Sequence, residues 1–355
     1  MTFAQPRPPI ALDAILDDPS DVHTLVRAGS PYWSVQRYVE NLDQLRALSE
    51  AGQDEASHDE DAERSDSVLA VAKKPMLVAP WFRGDWCVPG QPSVPGVARF
   101  LEHPALIDAA RRLMDAAVVR PEHVYVNLNP PLPKVDPGHV DVPCFRGATR
   151  GRLPVWLLQV MHKSELFTRW YVPTATAVTW FYSGVGGGFT YWPDGPDAAP
   201  RSRPCMSNTA LMGDNDYMFH AVEAIGGNDR EVPMGLSLDA TLRATDDGYV
   251  LEDRGRDATG ALTDEVVERK RYRRDEVRLS VSWKALCFAT ERDAVRYDTG
   301  EEALDDGQIL DTFVGDLRAR GLSFETPPDL HSSAAFTALL TRTYRRAPTV
   351  FAVRS

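Results

Sequence analysis

The sequence is poor in cysteine and has no long apolar run. Its four cysteines stand far apart, at positions 87, 144, 205 and 287, and no two of them form a CxxC pair. A disulfide framework or a zinc knuckle needs closely spaced cysteines, so we predict neither. No segment approaches the roughly 20 mostly apolar residues that cross a bilayer, and residues 1–9 lack the pattern of a signal peptide. We therefore expect a cytoplasmic protein with reduced thiols and no membrane partner.

Positive charge is outnumbered by negative charge, with 39 Lys and Arg residues against 51 Asp and Glu residues. The formal net charge is −12 at pH 7, and one short basic run, Arg269–Arg274, lies among acidic neighbours. A protein that binds the phosphate backbone of a nucleic acid needs a concentrated basic surface. We interpret the basic run as a solvated face and expect no nucleic-acid partner.

Three common catalytic motifs are missing. We find no GxSxG elbow, no GxxxxGK[ST] loop and no convincing GxGxxG before a helix. These absences argue against a hydrolase, a nucleotide-transfer enzyme and a dehydrogenase, respectively.

Turn-forming residues are abundant instead. The chain has 27 prolines and 24 glycines, which favours short strands over long helices. Its hydrophobic content of 43% is that of a globular protein. We predict a mainly β protein with flanking helices: a helical N-terminal support region over 1–123, a β core over 124–288 and a C-terminal helical region over 289–355 that packs on the core. Within the first region, the acidic segment 51–67 has almost nothing to bury and is predicted to be a disordered loop.

Hydrophobic periodicity gives the individual elements. Helices are predicted over 35–51, 105–117 and 154–167 and again between 305 and 346, with a fully buried strand as the alternative for 154–167. A hairpin is predicted in which 175–183 and 189–192 pair across the glycine-rich turn 184–188. The other strands are predicted at 69–72, 76–79, 124–129, 209–213, 217–225, 236–245, 249–253 and 277–288. About eight core strands at this spacing suggest a jelly roll.

The strongest chemical signal is Gly138-His139-Val140-Asp141. In an extended backbone, residues two apart project to the same side, so His139 and Asp141 can reach one point. An imidazole and a carboxylate on one face, completed by a distant histidine, form the facial triad that holds iron(II) with open positions. His220, inside the apolar segment 217–225, is the candidate for that third ligand. A core histidine satisfied by a backbone carbonyl is the alternative.

Three further segments, in their order along the chain, resemble a known family. The segment 186–193 (GGGFTYWP) resembles a glycine-rich hairpin, 208–222 resembles the approach to a distal histidine, and 277–283 (VRLSVSW) resembles an RxS strand. Together with the HxD motif they are similar to the iron(II)/2-oxoglutarate oxygenases, notably the prolyl-hydroxylase-like and phytanoyl-hydroxylase-like branches. The resemblance covers roughly residues 124–288.

The resemblance implies a fold, a reaction and a set of ligands. The fold would be a double-stranded β-helix, with His139, Asp141 and His220 binding Fe(II). The enzyme would use 2-oxoglutarate as cosubstrate and O2 as oxidant to hydroxylate, desaturate or cyclise a small-molecule substrate. The acidic composition, rich in Arg, Ala and Asp, suggests natural-product or amino-acid metabolism by association. Arg278 and Ser280 would bind the distal carboxylate of 2-oxoglutarate.

Other polar residues near these motifs are weaker candidates. Asn127 and Tyr182 lie on strands that should face the cavity and are candidates for cosubstrate binding. Arg146, Arg150 and Asn129 are candidates for substrate binding, with a solvated loop or a structural role as the alternative.

One spacing departs from the family. Arg278 follows His220 by 58 residues, where most relatives have about ten. We interpret 226–275 as an insertion, turning at Asp246-Asp247-Gly248, and as a candidate substrate lid. Arg230 and Lys284 are the rival cations for the distal carboxylate.

Two other functional classes stay open. A cupin-like metalloenzyme without an oxo acid would lack a basic anchor near the metal. A non-catalytic jelly-roll binding domain would hold His139 and His220 far apart.

Overall fold

The structure is a computed structural model that describes residues 6–35, 80–132, 138–195, 197–227, 231–233, 235–330 and 332–344. The helix predicted over 35–51 (except Val35), the acidic loop 51–67, the strands predicted at 69–72 and 76–79, and Arg230 lie outside these residues. Among the described residues, no helix combines the length and the apolar character that crossing a membrane requires.

The described residues form a mainly antiparallel β protein. The strands are β1 (Ile10–Asp13), β2 (Tyr32–Ser34), β3 (Phe82–Cys87), β4 (Val118–Asn129), β5 (Cys144–Phe145), β6 (Tyr171–Val172), β7 (Thr174–Trp180), β8 (Phe189–Tyr191), β9 (Arg201–Arg203), β10 (Thr209–Gly213), β11 (His220–Val222), β12 (Thr241–Ala244), β13 (Gly248–Arg256), β14 (Leu262–Arg273) and β15 (Arg278–Phe288). The main sheet has the order β1-β10-β7-β15-β4-β3-β2-β12-β13-β14, and β11-β8-β9 form a smaller sheet. The pair β5-β6 stands apart.

The helices flank these sheets. They are α1 (Asp21–Ala28), α2 (Ala98–Leu101), α3 (Pro104–Met114), α4 (Val155–Ser164), α5 (Glu291–Thr299), α6 (Asp306–Ala319) and α7 (Ala334–Tyr344). The helices predicted over 105–117 and 154–167 are confirmed as α3 and α4, and the helical C-terminal stretch as α6 and α7. Two of these helices begin at a side-chain cap, Thr290 for α5 and Asp305 for α6, which satisfies a backbone amide that has no partner inside the helix.

The two faces of the main sheet differ in polarity. In β4 and β15, Val126 pairs with Val281 and Leu128 with Leu279, and these side chains lie in one large apolar core with α3. The alternate residues, such as Asn127 opposite Ser280, point to the other face. A strand that is apolar on one face and polar but buried on the other predicts a lined cavity there. We call this the inner face of the main sheet.

The smaller sheet packs on that inner face. The ring centroids of Trp180 on β7 and Phe189 on β8 lie 5.8 Å apart, and Leu211 on β10 joins them in one cluster. The predicted hairpin is therefore wrong: β7 pairs with β10 and β15, whereas β8 pairs with β9 and β11. The glycine-rich segment 184–188 carries the chain from one sheet to the other instead of turning it back.

The insertion lies at the far edge of the main sheet. Its strands β12, β13 and β14 follow β2, four strands and more away from β15. The predicted turn at 246–248 does join β12 to β13. Neighbouring strands are about 4.8 Å apart, so these three strands extend the sheet away from β15 and β7. They do not meet the expectation of a substrate lid.

The first third of the chain contributes strands as well as helices. β1, β2 and β3 all belong to the main sheet, and β3 pairs directly with β4. These strands are short or contain charged residues, which is why hydrophobic periodicity did not reveal them. A second apolar cluster, formed by α4, α6 and α7, packs around Phe167, Phe313 and Leu340.

Candidate metal centre

Two backbone hydrogen bonds bring the candidate histidines together. The amide of His139 donates to the carbonyl of His220, and the amide of His220 donates to the carbonyl of His139, both at 2.9 Å. This antiparallel bridge places the two imidazole centroids 4.4 Å apart. Gly138 precedes His139 with φ of +120°, and a Cβ there would lie 2.3 Å from the Phe219 ring. A glycine is therefore required for this approach of the two chains.

Asp141 completes the group. Its Oδ1 lies 4.0 Å from Nε2 of His139 and 3.8 Å from Nε2 of His220. One ligand atom from each of the three residues lies within 4.8 Å of the others. Ligands about 2.0–2.3 Å from one ion are some 3–4 Å apart, so small side-chain shifts suffice for binding. The predicted convergence of His139, Asp141 and His220 is present in the structure.

Hydrogen bonds orient two of the three ligands. Nδ1 of His220 lies 2.9 Å from the carbonyl of Met218. This contact favours a proton on Nδ1, which makes Nε2 the unprotonated nitrogen, the form that binds a metal. Oδ2 of Asp141 accepts from Nζ of Lys284 at 2.6 Å and from Oγ1 of Thr176 at 3.3 Å. The carboxylate therefore presents Oδ1 to the two histidines.

The electrostatics keep the carboxylate ionised. Burial acts to raise the pKa of Asp141, but Lys284 and the two histidines outweigh it and hold this pKa well below its usual value. Burial lowers the pKa of Lys284, yet Asp141 raises it above the usual value for lysine. Asp141 is thus an anion and Lys284 a cation at neutral pH.

Exposure differs sharply among the three ligands. The His139 side chain is 46% exposed, whereas those of Asp141 and His220 are 13% and 6% exposed. An ion at this position would be bound by two largely buried side chains, Asp141 and His220. A molecule from solvent would reach it on the side of His139. Two imidazoles and one carboxylate are a donor set suited to iron(II) and similar divalent first-row ions, so the residues fit such an ion.

Arg278 forms a second polar feature on the same inner face. Its side chain is 1% exposed, its Nε donates to the carbonyl of Gly187 at 2.7 Å and its Nη1 to Oγ of Ser280 at 3.1 Å. Nη2 is buried and has no hydrogen-bond acceptor among the described residues. The Cys205 thiol also interacts with this guanidinium, but a thiol is a weak acceptor.

The charge of Arg278 is not neutralised by the described protein. No carboxylate of the described residues forms an ion pair with it. A buried cation is expensive unless an anion compensates it. The residues around Arg278 therefore fit a ligand that brings a carboxylate.

Two more candidates lie beside Arg278. Asn129 pairs with Arg278 across β4 and β15, is 1% exposed, and its Oδ1 has no partner among the described residues. Tyr182 is buried and its hydroxyl donates to the carbonyl of Val185 at 2.9 Å. Burial is the main cause that raises the pKa of Tyr182 to about 12, against a lowering effect from Arg278. Both residues therefore line the space near the guanidinium.

The remaining candidates have other neighbours. Oδ1 of Asn127 accepts from Nε of Arg83 at 3.0 Å and from Nε1 of Trp81 at 3.4 Å. Arg146 is buried and its Nη2 lies 3.7 Å from a carboxylate oxygen of Glu302.

Arg150, in contrast, is an exposed residue. Its charge reaches Asp85, whose carboxylate lies 2.9 Å from Nε2 of His123. Burial acts to raise the pKa of Asp85, but His123, Arg83 and Arg150 lower it below its usual value. Arg150 is thus an exposed cation whose charge acts on Asp85 of β3.

Sequence reasoning missed the acidic cluster behind Asp141. Asp214 and Asp216 are buried, and Tyr171 donates from its hydroxyl to Oδ2 of Asp216 at 2.9 Å. Burial, reinforced by nearby carboxylates, raises the pKa of Asp216 to about 8 although Lys284 opposes the shift. The segment Gly213-Asp214-Asn215-Asp216 consists of residues that favour turns, so only the fold reveals its burial.

Comparison with known proteins gives partial structural likeness. No family model and no curated protein matches the chain. Among solved structures, a 2OG-Fe(II) oxygenase-family oxidoreductase from Burkholderia pseudomallei is 8% identical, with a TM-score of 0.32 over 68% of this chain and 89% of that one. The non-heme alpha-ketoglutarate-dependent carbocyclase SnoK of nogalamycin biosynthesis is 12% identical, with a TM-score of 0.35 over 81% and 85%.

A third structure has a similar degree of likeness. HygX from Streptomyces hygroscopicus, with nickel and 2-oxoglutarate bound, is 9% identical, with a TM-score of 0.30 over 79% of this chain and 83% of that one. The solved structures that this chain resembles thus include 2-oxoglutarate/iron(II) oxygenases, the family suggested by its motifs. Because these TM-scores are below 0.5, the function of this chain is inferred from its own residues.

Proposed function

We propose that this protein is an iron(II)- and 2-oxoglutarate-dependent oxygenase that oxidises a small organic molecule. The observation that carries the proposal is the combination of two features, a group of metal-ligating side chains that contacts β15 through Lys284 and a buried cation on the inner face of the main sheet. His139, Asp141 and His220 converge within 4.8 Å, and the buried guanidinium of Arg278 has an unused donor among the described residues. A metal chelator with a distal carboxylate satisfies both features.

The roles of the metal ligands follow from their contacts. His220, with its proton held on Nδ1 by Met218, offers Nε2, and Asp141 offers Oδ1. His139 supplies the third donor from the exposed side. When bound, iron(II) and 2-oxoglutarate supply oxidising equivalents from O2, with succinate and CO2 as coproducts. The chain holds and orients these groups.

Arg278 is the proposed anchor for the distal carboxylate. Its Nε and Nη1 are already fixed by Gly187 and Ser280, so the guanidinium is preorganised. A planar fork with paired donors matches a carboxylate better than an ammonium does. Ser280 adds a hydroxyl beside it, and Asn129 and Tyr182 border the same space.

Lys284 does not compete for this role in the structure. Its ammonium contacts Asp141 at 2.6 Å and lies six residues along β15 from Arg278. The buried cation of Arg278 supports the oxo-acid proposal over the cupin-like alternative, which would lack a basic anchor. The second alternative, a non-catalytic binding domain, required separated histidines, whereas His139 and His220 are bridged.

We further propose that the two facing sheets form a double-stranded β-helix and that residues 124–288 are its catalytic core. The contact between Trp180 and Phe189 across the sheets supports this arrangement. The direct pairing of β3 with β4 adds the N-terminal strands to the same sheet.

For the substrate, we propose the space between His139 and the inner face of β3 and β4. The Asp85–His123 pair lies there, and the charge of Arg150 acts on Asp85. Asn127 lies further along β4, the strand that carries His123. Arg146 pairs with Glu302. It lies on the loop that follows the HxD motif, which we propose as a further border of the substrate space.

The test is an anaerobic titration of the iron(II) protein with 2-oxoglutarate. We expect a weak visible charge-transfer band from the chelate in the wild type and loss of both iron binding and the band in His220→Ala. A protein that binds iron(II) but develops no band supports the cupin-like alternative. A protein that binds no iron(II) at these residues refutes the proposal.

A further inference from the structure

A buried lysine contacts the carboxylate ligand of the candidate metal centre. Nζ of Lys284 lies 2.6 Å from Oδ2 of Asp141, and the two side chains are 19% and 13% exposed. Lys284 projects from the middle of β15, a strand paired on both sides, so its backbone is held firmly. A charge-assisted bond of this length in a water-poor setting is a strong constraint on the carboxylate.

A second donor binds the same oxygen. Oγ1 of Thr176 lies 3.3 Å from Oδ2 of Asp141, and Thr176 pairs with Lys284 across β7 and β15. Both donors therefore come from adjacent positions of one rigid sheet. A carboxylate oxygen has two lone pairs, and in Asp141 both lone pairs of Oδ2 face protein donors. Oδ1 is the oxygen left for the histidine side.

We propose that Lys284 is a positioning residue that restricts Asp141 to one metal-bound oxygen. This inference rests on the metal triad of the proposed function. A carboxylate can bind an ion through one oxygen or through both. Binding through both would place Oδ2 on the ion and break its bonds to Lys284 and Thr176. The lysine thereby preserves a coordination position that a two-oxygen aspartate would fill.

The charge of the lysine has a related effect. The ligand set of two imidazoles and one carboxylate carries one negative charge, and the ammonium of Lys284 cancels it. The centre therefore presents the full charge of a divalent ion to an incoming anionic chelator. Opposite charges close together in a poorly solvated site interact strongly. Lys284 thus favours anionic ligands without touching them.

The open positions can be counted with Mn(II) alone as the probe. Metal-free protein is loaded with Mn(II), and the bound exchangeable waters are counted from electron–nuclear double resonance in ¹⁷O-enriched water. A six-coordinate ion with three single-atom protein ligands keeps about three waters. We expect about three in the wild type, one fewer in Lys284→Met, and recovery in Lys284→Arg, which retains a cationic donor.

Lys270→Met is the matched control. Lys270 lies on β14 at the distant edge of the main sheet and pairs with Glu231 at 2.6 Å, so this variant should keep the wild-type number of waters. An unchanged number in Lys284→Met overturns the role of Lys284 and leaves the metal centre standing. A wild-type protein whose Mn(II) keeps only about two waters also overturns the role of Lys284. This measurement does not depend on whether Lys284→Met folds. Failure of the wild type to bind Mn(II) removes the metal centre and, with it, this inference.

Discussion

Replacement of Arg278 by alanine should abolish tight binding of 2-oxoglutarate and spare the metal. The guanidinium is 1% exposed and has one donor, Nη2, with no acceptor among the described residues. Loss of one partner of a buried, hydrogen-bonded charge pair costs about 2–5 kcal/mol. At 1.4 kcal/mol for each factor of ten, this corresponds to roughly 30-fold to several-thousand-fold weaker binding.

Two further variants separate charge from geometry. Arg278→Lys keeps the charge, but an ammonium cannot reproduce the planar fork that contacts Gly187 and Ser280, so an intermediate loss is expected. Ser280→Ala removes a hydrogen bond between a hydroxyl and a charged group, worth about 1.5–3 kcal/mol, and should weaken binding by about 10-fold to 140-fold.

The assay is an anaerobic titration of 2-oxoglutarate, followed by the visible band and by calorimetry. Mn(II) affinity, measured separately, should stay within about twofold of wild type because Arg278 is not one of the candidate metal ligands. Normal cosubstrate affinity in Arg278→Ala, together with its loss in Lys284→Ala or Arg230→Ala, would show that the anchor is assigned wrongly. The oxygenase proposal itself would survive that result.

Three other outcomes are expected. In the presence of chloride, the wild type should insert oxygen or remove hydrogen, because the Asp141 carboxylate takes the coordination position that a bound chloride would need; a chlorinated product in mass spectrometry contradicts this. Gly138→Ala should lower the free energy of unfolding in urea by about 1–3 kcal/mol, because φ is +120° and the new Cβ meets Phe219 at 2.3 Å; Gly195→Ala, also at positive φ but with open space around it, is the control for the steric part. Asp216, whose folded pKa of about 8 exceeds its ordinary 3.8, binds a proton on folding, so its stabilisation is complete below about pH 4 and is lost as pH rises toward 8. Relative to Asp216→Asn, the wild type should therefore lose about 1.4 kcal/mol per pH unit between pH 5 and 7, and parallel stability curves for the two proteins would refute the assignment.

The convergence of the candidate metal ligands could be predicted because part of its signal is local. His139 and Asp141 are two residues apart in extended chain, and Gly138 before them marks the strained approach to Phe219. His220 needed more than local pattern, since an isolated histidine in an apolar segment is equally consistent with a core residue. The ordered motifs downstream supplied that context.

The supporting contacts could not be predicted in the same way. The bond from Lys284 to Asp141 joins residues 143 apart in the chain, and the sequence showed only that Lys284 shares the strand parity of Arg278. The burial of Asp216 was hidden for a similar reason, because its carboxylate is accommodated by Tyr171 from a distant strand. Such contacts depend on how the strands are ordered, which periodicity does not encode.

The missed strand β14 has a different cause. Most of its residues are exposed and many are charged, with Glu265, Glu268, Arg269 and Lys270 in its middle. An outermost strand has no neighbour on one side and commonly carries charges that discourage pairing with another molecule. Hydrophobic alternation is therefore weakest where a sheet ends, and the strand was interpreted as part of a polar insertion.

The position of the insertion determines where residues can be gained or lost without moving the strands of the candidate site. The ribbon of β13 and β14 joins the rest of the main sheet through β12 and β2, and its tip at Asp257–Gly260 is an exposed turn. Residues gained or lost at that tip are accommodated in solvent, so they leave the spacing of β7, β15 and β4 unaltered. The number of residues between His220 and Arg278 can therefore change while the distance between them in the fold stays the same. The number of residues between two motifs is then a poor criterion for assigning such a chain to a family.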